Sequence, residues 1–120
     1  MYDKNNVFAK IIRGEIPSKR IYENAYALSF YDVNPMSTAH ALIIPRGEYT
    51  DILDFSLKAS DDEKLGLFDC LNKTAEKLGI TDFNLFANTG NGVYIRQTVP
   101  HFHMHIVAGD KVKEFSEFVK

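Results

Sequence analysis

Three of the four histidines in this 120-residue chain fall at alternate positions in the run His101-Phe102-His103-Met104-His105. Along an extended strand side chains change face at every residue, so this spacing sets the imidazoles on one side and Phe102, Met104 and Ile106 on the other. Such a row has three readings. It is a solvated polar face; or it is a metal site, because imidazoles two apart can share an ion, with His40 as a distant further ligand; or it is a catalytic centre. The metal reading lacks a Cys, Asp or Glu in the same segment to complete a coordination set. The catalytic reading uses each ring differently: one neutral imidazole attacks, another donates a proton or hydrogen bond, and a third fixes the geometry. An ordinary pKa of about 6.5 lets neighbouring rings hold different protonation states near neutrality. The pattern favours this third reading.

Just upstream, Asn88-Thr89-Gly90-Asn91-Gly92 offers glycines that allow close backbone approach and amides that can bind phosphate oxygens. Alone it is an ordinary turn sequence. Followed by Gln97, Thr98 and the histidines it reads as a phosphate clamp, with Gln97 and Thr98 as neutral donors or simply polar loop residues.

The elements that must carry these groups follow from periodicity. Val7, Phe8, Ile11 and Ile12 recur at helical spacing after two asparagines, with Gly14 and Pro17 as stop signals. From Arg20 to Val33 two apolar segments flank Glu23-Asn24 and read as a hairpin ended by Asn34-Pro35. His40 to Ile44 reads as a central strand. Ser60-Asp61-Asp62-Glu63 is a capping box, and Leu65, Leu67, Phe68, Leu71, Ala75 and Leu78 supply the stripe of a long helix ending at Gly79. Phe83 to Ala87 and Val99 to Val107 read as strands, and Asp110 as the cap of a short helix over Val112, Phe115 and Val119. Strands and helices do not alternate regularly, which favours an antiparallel α+β arrangement.

Composition bounds the possibilities. A length of 120 residues with 45% apolar content fits a single domain spanning residues 1–120. Fourteen basic and 16 acidic residues give a formal charge of −2, without the basic excess that nucleic acid binding draws on. Cys70 is the sole cysteine and can form neither an intramolecular disulfide nor a cysteine-rich zinc site. Residues 1–6 show no secretory signal pattern and no apolar stretch is long enough to span a membrane, so a cytoplasmic protein with no membrane partner is expected.

With these residues in view, the chain resembles the histidine triad (HIT) family of nucleotide hydrolases and transferases. The motif is His101-Phe102-His103-Met104-His105-Ile106-Val107. Phe8 to Pro17 is similar to the family's N-terminal block, Phe30-Tyr31-Asp32-Val33-Asn34-Pro35 to its ribose-binding segment, and His40 to Pro45 to the following strand. These blocks span residues 7 to 107 in the family's order, and the purine-nucleoside phosphoramidase branch is the nearest likeness. The resemblance implies a HIT-like α+β fold: about five antiparallel strands, one long helix, a short N-terminal helix, and a homodimer joined edge to edge. It also implies that His103 attacks the α-phosphorus to form a nucleotidyl-histidine that water then hydrolyses. His105 would bind the phosphoryl oxygens, and His101 and His40 would buttress the site. Asp32 would accept hydrogen bonds from the ribose hydroxyls, although in isolation it reads as a turn cap. Phe8, Ile11, Phe30 and Val33 would form the slot for the base, and Asn88, Gln97 and Thr98 would meet the phosphate and leaving group.

On that likeness the expected activity is hydrolysis of a purine nucleoside 5′-monophosphate derivative such as adenosine 5′-phosphoramidate, with no cofactor and no metal. The alternatives are a dinucleoside polyphosphate hydrolase, a nucleotide-binding regulatory module with little turnover, and a metal-binding protein. Three departures from the family pattern bear on this. The interval from Asn88 to Gln97 is about two residues longer and carries Val93-Tyr94-Ile95-Arg96 where small residues are common. Asn6 and Ala9 stand where some members place a zinc-binding Cys-x-x-Cys pair. The sequence also reaches Lys120 without the Trp-containing tail of some phosphoramidases, a segment that shapes the substrate pocket, so the resemblance leaves the leaving group open.

Overall fold

Asn6 opens the first helix, α1 (Val7–Ile12), because its side-chain oxygen accepts the otherwise unpaired N–H of Ala9 at 2.9 Å. The computed structural model describes residues 1–111. Beyond α1, the hairpin is β1 (Arg20–Glu23) and β2 (Ala27–Tyr31). Asn24 makes its turn, since its Oδ1 accepts from the amides of Tyr26 and Ala27. The chain then runs through β3 (Ser37–Pro45), α2 (Ile52–Lys58), α3 (Asp61–Leu78), β4 (Asn84–Phe86) and β5 (Met104–Lys111). The five strands form one sheet in the order β1-β2-β3-β5-β4, with every pairing antiparallel. This is the α+β arrangement expected from the sequence.

Strand alternation gives the sheet two different faces. Ile43 of β3 and Met104 and Ile106 of β5 point to the side packed by Phe55 of α2 and Leu67 and Cys70 of α3. Leu28, Phe30, Leu42 and Ile44 point to the other, where Phe8 and Ile11 of α1 cover them. His40 and His105 share the parity of Leu42 and Val107 and so belong with the α1 side. The long helix thus stabilises the sheet from behind while α1 walls the histidines in front.

The capping box at Ser60 and Glu63 forms as expected, and Gly79 ends α3 in the left-handed region at φ 68. The buried face of α3 differs from the expected stripe. Gly66, Leu67, Cys70 and Thr74 face the sheet, whereas Leu65 and Phe68 are exposed. Small residues win because the helix lies close: a Cβ on Gly66 would stand 2.6 Å from the Cβ of Tyr26. Thr74 also donates to Ser29 Oγ on β2 at 2.6 Å, which fixes the helix rotation.

Two other boundaries require correction. β5 begins at Met104, so His101 and His103 precede the ladder, and the strand expected from Val99 starts five residues late. Pro100 lacks an amide hydrogen, and the Phe102 N–H donates to the carbonyl of Tyr49 instead of to a neighbouring strand. At its far end β5 continues to Lys111, and Asp110 lies within it, its N–H donated to Thr38 Oγ1, instead of capping a helix. The terminal helix expected over Val112, Phe115 and Val119 lies outside the described residues. α2 was not anticipated; Asp51 caps it by accepting from the Asp54 amide.

Candidate active site

His103 sits where the extended segment enters β5, with its ring edge against Phe8 at a centroid separation of 4.9 Å. Its Nδ1 lies 2.8 Å from the carbonyl oxygen of His101. A carbonyl only accepts, so Nδ1 carries the proton and Nε2 keeps its lone pair. The residue is 6% exposed and lines a cavity of about 1110 Å³. A neutral imidazole with a free Nε2 is the form of histidine that attacks an electrophile.

His101 is wholly buried and is held at both ring nitrogens. Its Nε2 donates to the carbonyl of Pro45 at 2.8 Å, so Nδ1 is an acceptor and receives the Tyr2 hydroxyl at 2.5 Å. Tyr2 in turn accepts from the Asn6 side-chain amide at 2.9 Å. Thus the residue whose carbonyl orients His103 is itself clamped by the end of β3 and by the N-terminal segment.

A second chain of donors fixes His105. The Met36 amide donates to His40 Nδ1 at 2.9 Å, which puts the His40 proton on Nε2. That N–H points at His105 Nδ1, 2.9 Å away, with Asp32 Oδ2 at 3.3 Å as a second acceptor. His105 therefore accepts at Nδ1 and carries its proton on Nε2. This last atom is buried and has no hydrogen-bond partner among the described residues. Phe86 of β4 stacks on the ring with centroids 4.7 Å apart, which holds its plane. The result is a buried, unpartnered N–H on a ring that lines the cavity next to His103, whose ring centroid is 5.2 Å from that of His105.

Electrostatics agree with these tautomers. Burial pushes His101 down to about 4 and His105 down to about 3, and the repulsion each would feel from a protonated His103 lowers both further. Burial also lowers His103 and His40, opposed in His103 by its bond to the His101 carbonyl and in both by Asp32. All four rings are therefore neutral at neutral pH.

The remaining sequence candidates divide. Phe8, Ile11, Phe30, Asp32, Val33, Asn88 and Thr98 line the same cavity as His40, His103 and His105. Phe8, Ile11 and Phe30 form its apolar wall, while Val33 is 90% exposed at the rim. Asp32 Oδ1 accepts from the Asn34 amide, so one carboxylate oxygen serves the turn and the other faces His40. Gln97 does not line the cavity: its Nε2 donates to the carbonyls of Thr50 and Val99 and ties the loop to the body. The loop's own bonds also consume amides expected to face phosphate, since Gly92 N–H donates to Thr89 and Gln97 N–H to Gly90. Sequence reasoning missed Tyr2 and Met36. Met36 acts through its backbone, which leaves no side-chain signal, and Tyr2 is remote from every motif.

Asp32, His40 and His105 each offer one atom within 4.8 Å of the others, a grouping that could suit a metal ion. The tautomers oppose it. To offer a lone pair at Nε2, His40 would have to carry its proton on Nδ1, directly facing the Met36 N–H. Two donors would then meet head on in a buried site. The trio is a hydrogen-bond relay.

A five-stranded antiparallel sheet whose β5 and the segment leading into it carry His101, His103 and His105, the last two lining an apolar-walled cavity, defines a histidine triad protein, and comparison supports that class. The chain matches the HIT domain over residues 13–112 and belongs to the HIT family. It is similar to an uncharacterised HIT-like protein of Azospirillum brasilense, 42% identical over 113 residues that cover 92% of this chain and 91% of the relative. A solved HIT family hydrolase from Clostridium thermocellum superposes with a TM-score of 0.74 at 32% identity, covering 93% of this chain and 96% of that one. A solved histidine triad nucleotide-binding protein from Candida albicans does so at 0.73 and 31% identity, covering 85% and 73%.

Proposed function

We propose that this protein hydrolyses nucleoside 5′-monophosphate derivatives at the α-phosphorus, with phosphoramidates of purine nucleosides as the substrate class. The observation that carries the reading is the paired tautomers of His103 and His105. His103 offers a lone pair at Nε2, and the neighbouring ring of His105, which lines the same cavity, holds an N–H with no partner among the described residues. Attack by His103 forms the N–P bond as the P–N bond breaks, and the departing nitrogen takes up a proton from water and leaves as the amine. Negative charge on the phosphoryl oxygens is met by His105, a term of the kind that usually contributes most to such catalysis. Water then attacks phosphorus, breaks the bond to His103 and releases the nucleoside monophosphate. The apolar wall of Phe8, Ile11 and Phe30 suits a base, Asp32 a ribose, and Asn88 and Thr98 the phosphate side. His101 and His40 act through the rings they hold, and Gln97 acts by anchoring the loop.

Arg96 favours a second reading, dinucleoside polyphosphate cleavage. It lies on the loop from Asn88 to Gln97 and lines the same cavity, where a cation suits a leaving group that carries further phosphates. Turnover of adenosine 5′-phosphoramidate and of a diadenosine polyphosphate separates the two. Faster release of the monophosphate from the phosphoramidate supports the first reading, and turnover of the polyphosphate alone replaces it with the second.

A homodimer of single-domain chains acting in the cytoplasm belongs to the same proposal. Edge strand β4 carries an exposed Leu85, and the buried lone Cys70 suits a reducing compartment. Sedimentation at micromolar concentration tests the dimer.

A further inference from the structure

We propose that Tyr2 is a positioning residue for the nucleophile, acting through His101 on the tautomer of His103; this rests on the reading of His103 as nucleophile. Tyr2 lies outside the stretch that matches the HIT domain, which begins at residue 13. Its half-buried ring meets His101 edge-on at 5.6 Å, and its hydroxyl supplies the donor that His101 Nδ1 requires. The hydroxyl is itself aimed by Asn6, a residue 5% exposed that also caps α1 and donates to the Asp3 carbonyl. Helix α1, the N-terminal segment and the histidine run are thereby joined through one hydroxyl.

The consequence for His103 follows from hydrogen-bond accounting. With Tyr2 present, His101 donates at Nε2 to Pro45 and accepts at Nδ1, so both ring nitrogens are satisfied in a site with no exposure. Without the hydroxyl, Nδ1 is a buried acceptor with no donor, and the ring gains by rotating toward another donor, because a proton moved to Nδ1 would set the bare Nε2 against the Pro45 carbonyl. That rotation weakens the bond to Pro45 that anchors residue 101 and frees the ring to hold its proton on either nitrogen. The His101 carbonyl holds the proton of His103 on Nδ1, and when it shifts, His103 loses the preference that leaves Nε2 free.

Tyr2→Phe removes the hydroxyl and keeps the ring contact. The test pairs steady-state kinetics on adenosine 5′-phosphoramidate with long-range 1H–15N NMR of the histidine rings in the resting protein. The expected result is a mixed tautomer signal for His101 and His103, with kcat about fivefold to thirtyfold lower and KM little changed. Unchanged ring signals in Tyr2→Phe overturn the proposal whatever the activity, as do altered signals with an unchanged kcat. A loss of melting temperature alone, with wild-type tautomers and kcat, reduces Tyr2 to a structural role and also overturns it. If the wild type turns over no substrate, the functional reading fails, and the NMR arm still decides whether Tyr2 sets the tautomers.

Discussion

The Nε2 of His40 lies 2.9 Å from Nδ1 of His105, although 65 residues separate the two in the chain. β3 and β5 bring them together as neighbours in the antiparallel ladder, with Leu42 opposite His105 and His40 opposite Val107. Because the Met36 amide occupies His40 Nδ1, the bond runs in one direction, from His40 to His105. That direction decides that His105 carries its proton on Nε2.

Removing the relay should damage chemistry more than binding. His40→Ala leaves His105 Nδ1 without its donor, and the ring is then free to place its proton on the wrong nitrogen. The expected outcome is a kcat on the order of tenfold to hundredfold lower with KM little changed, the range for misplacing one charge-stabilising donor. Steady-state kinetics on a nucleoside phosphoramidate checks it, and a rise in KM with unchanged kcat assigns His40 to binding instead.

Stability should fall on mild acidification. The folded protein holds its histidines below their ordinary pKa, His101 at about 4 and His105 at about 3, so the unfolded chain takes up protons first as the pH drops. Stability is therefore full above about pH 6.5 and declines below it by up to ~1.4 kcal/mol per pH unit for each such histidine. Urea unfolding at pH 7.5 and pH 5 measures this. His105→Asn should show a shallower decline, and an equal slope in that variant contradicts the assignment.

Zinc should bind weakly. The Met36 amide opposes the His40 tautomer that a metal needs, so competition with a chromophoric chelator at pH 7 is expected to show no tight stoichiometric site. Stoichiometric capture that disappears in Asp32→Asn is the contrary result and would restore the metal reading of the histidine row.

The loop from Asn88 to Gln97 should depend on Gly92. It adopts φ 59, and a Cβ there would stand 2.2 Å from the carbonyl oxygen of Ile95. A backbone atom cannot yield as a flexible side chain does, so Gly92→Ala must shift the segment carrying Ile95, Arg96 and Thr98 along the cavity wall. The expected cost is about 1–3 kcal/mol in stability, with a lower kcat/KM. Thermal unfolding and kinetics read both, and a wild-type melting temperature argues that the loop is slack.

Much of this was legible because local chemistry and global fold agree. The capping box of α3, the Asn24 hairpin and the alternation through β3 and β5 each have one economical solution. What escaped was set by contacts distant in sequence. Leu65 and Phe68 look like core residues of an amphipathic helix, yet the close approach of Gly66 to Tyr26 turns them outward. Asp51 followed by Ile52 and Phe55 marks the start of α2, but seven residues give periodicity little room to declare itself.

In the site, the histidine row was legible and its wiring was not. Residue types alone cannot say which nitrogen holds a proton, because that depends on Pro45, Met36 and Tyr2, two of them contributing only backbone groups. Gln97 was read as facing the substrate for the same reason: a polar side chain next to a motif gives no sign that two carbonyls already claim its amide.

The central claim is that His103 forms a covalent bond to phosphorus. Rapid quenching of the protein with adenosine 5′-phosphoramidate, followed by mass spectrometry, tests it directly beside His103→Ala. A nucleotidyl adduct on the wild type, mapped to His103 and missing from the variant, is the expected result. No adduct on the wild type while the substrate survives prolonged incubation, or an adduct that persists in His103→Ala, contradicts it.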